Sequence, residues 1–330
     1  MDKKSNSERA LFKEALQFPE KIKLLAQEFV RCYAEALESS GISFDTEASH
    51  FHLFFELLKD QLKSPHRFDL YHKKIRHPID YYRFGLDFLK PLVDLSRSKV
   101  LGLDIVDQIE LQLEKNENAI FFANHQTEPD PQAIAILLEK THPKLAEKII
   151  YVAGERVVTD PLAVPFSLGC DLLCIYSKRY IDQPIEEKAK KQLHNGQTME
   201  QMRRLLAEGG KAIYVAPSGG RDRKDQFGKV PPAPFDPDSI EMFCLMARKA
   251  KTITHFYPLA LNTHHMLPPP ETIQTELGEP RLARRAPIAL AFGNELLMEE
   301  DMSLAKLLRR QIKSKKIWDQ VFELYKLIES

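Results

Sequence analysis

Four short apolar runs, separated by stretches long enough for a helix, constrain this chain more than any other feature. Ile120-Phe121-Phe122, Ile149-Ile150-Tyr151-Val152, Leu172-Leu173-Cys174-Ile175-Tyr176 and Ala212-Ile213-Tyr214-Val215 are strand-like, each bounded by polar residues or glycine. Helical patterns fill the intervals, over Gln132 to Glu139, Thr198 to Glu208 and Ser239 to Ala250. Strands that alternate with helices build an α/β domain. The expected core is a mostly parallel or mixed sheet flanked by helices. Pro231-Pro232-Ala233-Pro234 and Pro268-Pro269-Pro270 must be rigid loops, since proline fixes its own backbone angle and donates no hydrogen bond.

Upstream the period changes. Leu24, Leu25, Phe29 and Cys32 or Tyr33 recur at helical spacing, as do Phe51, Leu53, Phe54, Leu57 and Leu58. Ser39-Ser40-Gly41 is a stop signal between them, and Ser64-Pro65-His66 ends the second stretch. A helix around Ile79 to Ser96 then leads into the strands. The expected organisation is a small N-terminal helical bundle over residues 1–75, followed by an α/β domain over 76–330.

Charge narrows the partners. Lys and Arg total 47 and Asp and Glu also total 47, so the basic excess of a nucleic-acid binder is missing. The start, Met1-Asp2-Lys3-Lys4-Ser5-Asn6, is polar and no apolar signal region follows. The apolar runs are too short to cross a bilayer. Cys32, Cys170, Cys174 and Cys244 lack a metal-like spacing and read as reduced structural thiols. The expectation is a soluble intracellular protein.

Chemistry concentrates in two turns. The first, Asn124-His125-Gln126-Thr127-Glu128-Pro129-Asp130-Pro131, follows a strand and precedes a helix whose first turn suits Pro131. His125 and Asp130 lie five residues apart, which on a continuous helix would separate their faces. Across a turn containing Pro129 the carboxylate can come back to the imidazole. It would then fix one ring nitrogen and leave the other to take a proton from an attacking hydroxyl. The plainer alternative has Asp130 as an N-cap and Glu128 in solvent. The second turn, Ala216-Pro217-Ser218-Gly219-Gly220-Arg221-Asp222-Arg223, offers backbone N–H groups at Gly219 and Gly220 and two guanidinium forks suited to phosphate. Its plainer alternative is a glycine turn followed by a solvated charge run. Ser218 does not stand in a G-x-S-x-G elbow, because Ala216 and Pro217 precede it.

Together these turns resemble the H-x4-D glycerolipid acyltransferases, and in particular the soluble, plastid-type glycerol-3-phosphate acyltransferases. Further similar blocks are His72 to Arg76, Asp80 to Gly85, Val152 to Leu162, Ile175 to Lys178, Pro232 to Asp236 and Tyr257 to Leu261. The resemblance covers roughly residues 70–300. It implies transfer of a fatty acyl group from acyl carrier protein or coenzyme A to the sn-1 hydroxyl of glycerol 3-phosphate. The same resemblance implies no metal or bound cofactor, and residence in the cytoplasm or, after removal of a transit peptide, the plastid stroma. By the same token His125 and Asp130 match the catalytic pair, and Arg221 and Arg223 match arginines assigned to the substrate phosphate. Ser218, Gly219, Gly220, Lys178 and Arg179 complete the expected substrate-binding set. One position departs from the plant pattern, where Lys-His follows Tyr-Ser-Lys. Here Arg179-Tyr180 follows, and Tyr180 carries no cation. Two other readings of the His125 site are an acyl thioesterase, with water as acceptor, and a non-catalytic acyl-carrier or lipid binder.

Three peripheral features have plain readings beside functional ones. Phe166, Leu168 and Met266 suit an acyl cleft or a core. His264 and His265 suit ligand contacts or an ordinary loop. Lys306, Arg309, Arg310, Lys313, Lys315 and Lys316, with Leu304, Leu308 and Ile312, suit a solvated helix face or a dock for an acidic carrier protein or anionic membrane.

Overall fold

The computed structural model describes residues 5–178, 181–271, 278–298 and 302–329. Three helices open the chain, α1 (Asn6–Glu14), α2 (Glu20–Glu38) and α3 (Ala48–Lys63). Helix α2 ends where the sequence signals it, at Ser39, and Gly41 takes the left-handed φ of +74° that the exit turn requires. Its buried stripe is Ala26, Phe29, Val30, Tyr33 and Leu37, so Leu24 faces outward. The strand β1 (Tyr71–His72) and helix α4 (Tyr81–Leu89) follow. Asp80 caps α4 by accepting from the Arg83 N–H at 2.9 Å, and Pro91 tightens its far end into a 3-10 turn over Lys90–Leu92. The helix expected from Ile79 to Ser96 is shortened accordingly.

Next come β2 (Lys99–Leu101), α5 (Leu103–Glu114), β3 (Asn118–Ala123), α6 (Asp130–Leu138), α7 (Pro143–Lys148), β4 (Ile149–Gly154), α8 (Val164–Ser167) and β5 (Asp171–Ile175). Then follow α9 (Lys188–Glu208), β6 (Ala212–Val215), α10 (Pro237–Ala250), β7 (Thr254–Asn262), β8 (Ala289–Phe292) and α11 (Lys306–Ile328). Helix α9 starts ten residues before the expected Thr198 because its polar first half has no apolar period.

Among the described residues the strands form one eight-stranded sheet in the order β1-β5-β4-β6-β3-β7-β8-β2. The five central strands run parallel, while β1 and β8 are antiparallel to β5 and β7. Every residue of β3 is buried, as a parallel strand covered on both faces requires. Alternate side chains divide between the two faces. Phe121, Tyr214, Tyr257 and Leu259 join the core under α1 to α6, whereas Ile120, Phe122, Ile213 and Phe256 join the core under α9, α10 and α11. Strand β7 escapes the sequence reading because Pro258 sits inside it, a residue that normally argues against a central strand. The Pro258 ring instead packs where Gly293 has no side chain; a Cβ there would lie 2.7 Å from it.

The first core is continuous from the N-terminal helices to the sheet. Phe88 of α4 stands 5.6 Å from Phe29, 4.8 Å from Phe51 and 5.2 Å from Phe166, ring centre to ring centre. Phe166 and Met266 are therefore core residues, and Leu168 is buried too. Among the described residues no helix is long and apolar enough to cross a membrane. Phe51→Ala, which opens a cavity on the N-terminal side of this contact, is expected to cost about 3–5 kcal/mol. Urea unfolding followed by Trp318 fluorescence should show the lower midpoint, although Trp318 packs against the other face of the sheet. That result would mark the N-terminal helices and the α/β part as one cooperative unit.

Candidate active site

Parallel strands β4, β6, β3 and β7 deliver their following loops to one edge of the sheet, the usual ligand edge of an open α/β fold. The loop after β3 begins with Asn124, fully buried, whose amide joins three segments. It accepts from the Leu261 N–H at 2.8 Å, donates to the Leu261 carbonyl at 3.0 Å, and donates to Asp222 Oδ2 at 2.8 Å. The Tyr214 hydroxyl holds the Asn124 carbonyl at 2.6 Å.

His125 comes next and is part-exposed, with 29% of its side chain accessible. Its Nδ1 lies 2.7 Å from Asp130 Oδ2. A carboxylate only accepts, so Nδ1 carries a proton, and in the neutral ring Nε2 is then the nitrogen with the lone pair. Among the described residues nothing hydrogen-bonds Nε2. Asp130 is 1% exposed, and its other donors are the amides of Gln126 at 2.9 Å and Thr127 at 3.3 Å and the Thr263 hydroxyl at 2.5 Å. The carboxylate thus turns back to the imidazole, and Pro129 takes the N-cap position of α6. Gln126 ties the same loop to β7, accepting from the Thr263 and His264 amides at 2.8 and 3.1 Å.

The loop after β6 lies alongside. The Asp222 N–H donates to the His125 carbonyl at 2.6 Å, and Asp222 accepts from Asn124 and from the Ala233 N–H at 2.9 Å. Burial outweighs these donors and pushes the Asp222 carboxyl up to about 7. With Asp222 turned inward, its neighbours reach elsewhere. Arg221 makes a two-pronged pair with Glu279, and Arg223 donates to the Pro270 carbonyl at 2.5 Å. Gly219 supplies the left-handed φ of +70° at the turn, open space surrounds it, and the Ser218 hydroxyl donates to the Gly220 carbonyl at 3.0 Å.

Lys178 is exposed and pairs with Asp236, which also caps α10. Arg179 and Tyr180 lie outside the described residues. His264 is buried, and among the described residues neither ring nitrogen has a partner; burial, helped by nearby cationic groups, lowers its pKa to about 4, and His265 beside it is exposed. On α11, Lys313 is buried against Glu241 and Arg310 pairs with Asp238, which leaves Lys306, Lys315 and Lys316 on the exposed side.

A buried group that sequence reasoning missed is Arg281, 3% exposed. It donates to Glu128 through Nε and Nη2 at 3.0–3.2 Å and to the Glu279 carbonyl at 3.0 Å. Glu128 is therefore not a solvated side chain, and burial pushes its carboxyl up against the pull of Arg281. Thr263 and Glu279 were missed as well. Their partners lie more than 50 residues away in sequence, so no local pattern marks them.

Comparison with known proteins follows the same pattern. The family model described as Acyltransferase matches residues 104–262. A chloroplastic glycerol-3-phosphate acyltransferase of Cucurbita moschata is 35% identical over 96% of this chain and 70% of its own length. The corresponding proteins of Spinacia oleracea and Arabidopsis thaliana are 39% and 36% identical over 81% and 82% of this chain. The chain spans 57% and 59% of those two relatives.

Asp222 links the two turns and carries a pH signature. Its folded value near 7 exceeds the ~3.9 of an unfolded chain. Between those values the folded state binds the extra proton, so this group makes stability fall as pH rises through that window. Urea midpoints measured from pH 4 to pH 8 should show that slope in the wild type and lose it in Asp222→Asn. The asparagine must also set its amide against a neighbouring donor, at a cost of about 1–3 kcal/mol.

Proposed function

This chain belongs to the plastid-type glycerol-3-phosphate acyltransferases, and from that premise we propose that it moves a fatty acyl group to the sn-1 hydroxyl of glycerol 3-phosphate with His125 as general base. The observation that carries the reading is the 2.7 Å bond from His125 Nδ1 to a buried Asp130, with Nε2 left to receive a proton. The hydroxyl oxygen attacks the thioester carbonyl while Nε2 takes its proton. Asp130 holds the ring and stabilises the imidazolium that forms. The tetrahedral species then collapses, the C–S bond breaks, and the departing thiolate takes the proton from Nε2 and leaves as the thiol. No acyl-enzyme is required. The product is 1-acylglycerol 3-phosphate.

Arg221 and Arg223 bind the phosphate in this reading, on either side of the residue whose N–H holds the His125 carbonyl. The acceptor is thereby positioned by its charged end beside the base, a source of rate enhancement separate from proton transfer. The acyl donor is acyl carrier protein or coenzyme A. The exposed side of α11, with Lys306, Lys315 and Lys316 around Leu307, Leu308 and Ile312, offers an acidic carrier, or an anionic membrane in peripheral contact, both charge and apolar area.

Product analysis of acyl-carrier thioester with and without glycerol 3-phosphate tests the reading. 1-Acylglycerol 3-phosphate should form only with the acceptor; free fatty acid at equal rates either way would make the site a thioesterase. His125→Ala should lower kcat about 100- to 10,000-fold while glycerol 3-phosphate still binds. Arg221→Ala should raise KM for glycerol 3-phosphate about 10- to 100-fold, the worth of a charge-assisted hydrogen bond.

A further inference from the structure

Arg221 does not stand as an open fork. Its Nη1 lies 2.6 Å from Glu279 Oε1 and its Nη2 lies 2.7 Å from Oε2. This is the planar, two-pronged geometry that a guanidinium makes with carboxylate or phosphate alike. The pair is largely enclosed, with the side chains 19% and 12% exposed.

The backbone around Glu279 is held independently of that pair. Gly278 and Glu279 direct their N–H groups to Asp160 Oδ2 at 2.9 and 3.4 Å, and the Glu279 carbonyl accepts from Arg281 at 3.0 Å. Arg281 is itself occupied by Glu128. Among the described residues, the Glu279 carboxylate is held by Arg221 alone. Its side chain can swing away without disturbing the backbone beneath it.

Geometry makes the swing necessary. With Glu279 in place, a phosphate brought to Arg221 would meet a carboxylate and a fork already filled.

We propose that Glu279 is a specificity-determining residue, a carboxylate that occupies the phosphate position of Arg221 until a phosphomonoester displaces it. The inference rests on the reading of Arg221 as a phosphate-binding residue. A dianionic phosphate offers the same pair of oxygens with more charge and takes the fork. A monocarboxylate such as glycerate offers only what Glu279 already provides, and a neutral polyol offers less.

The test compares wild type with Glu279→Gln, which keeps the shape and removes the charge. KM for glycerol 3-phosphate should fall about two- to fivefold, the upper part of the range for replacing an ion pair by a neutral contact. The change should be carried by KM rather than kcat, and glycerate should become a stronger competitor. A KM that is unchanged or raised would overturn the proposal, since Glu279 would then only orient Arg221. Glu279→Asp, one methylene shorter and so drawn back from the guanidinium, should move KM in the same direction and serves if the glutamine variant does not fold. Arg221→Ala separates the two ideas. An unaltered KM in that variant would overturn the phosphate reading itself, whereas a raised KM there with no gain in Glu279→Gln would overturn only the displacement.

Discussion

The site depends on a carboxylate that the protein has removed from water. An ionised Asp130 at 1% exposure would be costly if its oxygens lacked donors. It has four: the His125 ring, the Gln126 and Thr127 amides and the Thr263 hydroxyl. Three come from its own turn and the fourth from the end of β7. The carboxylate therefore gains its full set of donors only when β3 and β7 lie side by side in register, with Phe122 opposite Pro258 and Ala123 opposite Leu259.

Asp222 plays the corresponding part for the loop after β6. Its backbone reaches the His125 carbonyl and its side chain reaches Asn124 and Ala233. With Asp222 turned inward, Arg221 and Arg223 on either side of it are less buried and reach other partners. The inward Asp222 places the two cations as surely as any contact they make themselves.

What was legible in the sequence followed from local pattern. The buried runs of β3, β4, β5 and β6 announce themselves because a parallel strand covered on both faces must be apolar throughout. The return of Asp130 to His125 was legible because both lie within one turn. Strand β7 was hidden by Pro258, and β8 by its short Ala-Leu-Ala-Phe run, whose small side chains carry little apolar signal. The start of α9 was hidden because its polar first turns lack a period. Glu279 and Arg281 were hidden for a different reason. Their roles are set by partners brought close only by folding, and neither local propensity nor periodicity encodes such a meeting.

The same physics explains why a cluster of enclosed guanidiniums carries its own carboxylates. Arg281 is almost fully buried and cannot shed its proton, so it demands a counter-ion wherever the chain puts it. Glu128 and the Glu279 carbonyl meet that demand, and Asp160 lies 3.8 Å away. Arg221 stands nearer the surface but would still bear a desolvation cost if left alone, and Glu279 removes it. Arg281 has its donors distributed over two partners in two segments and holds the loops together. Arg221 has its donors on one flexible side chain. The difference in how the two cations are held, more than their depth, is what the proposed exchange of anion at Arg221 rests on.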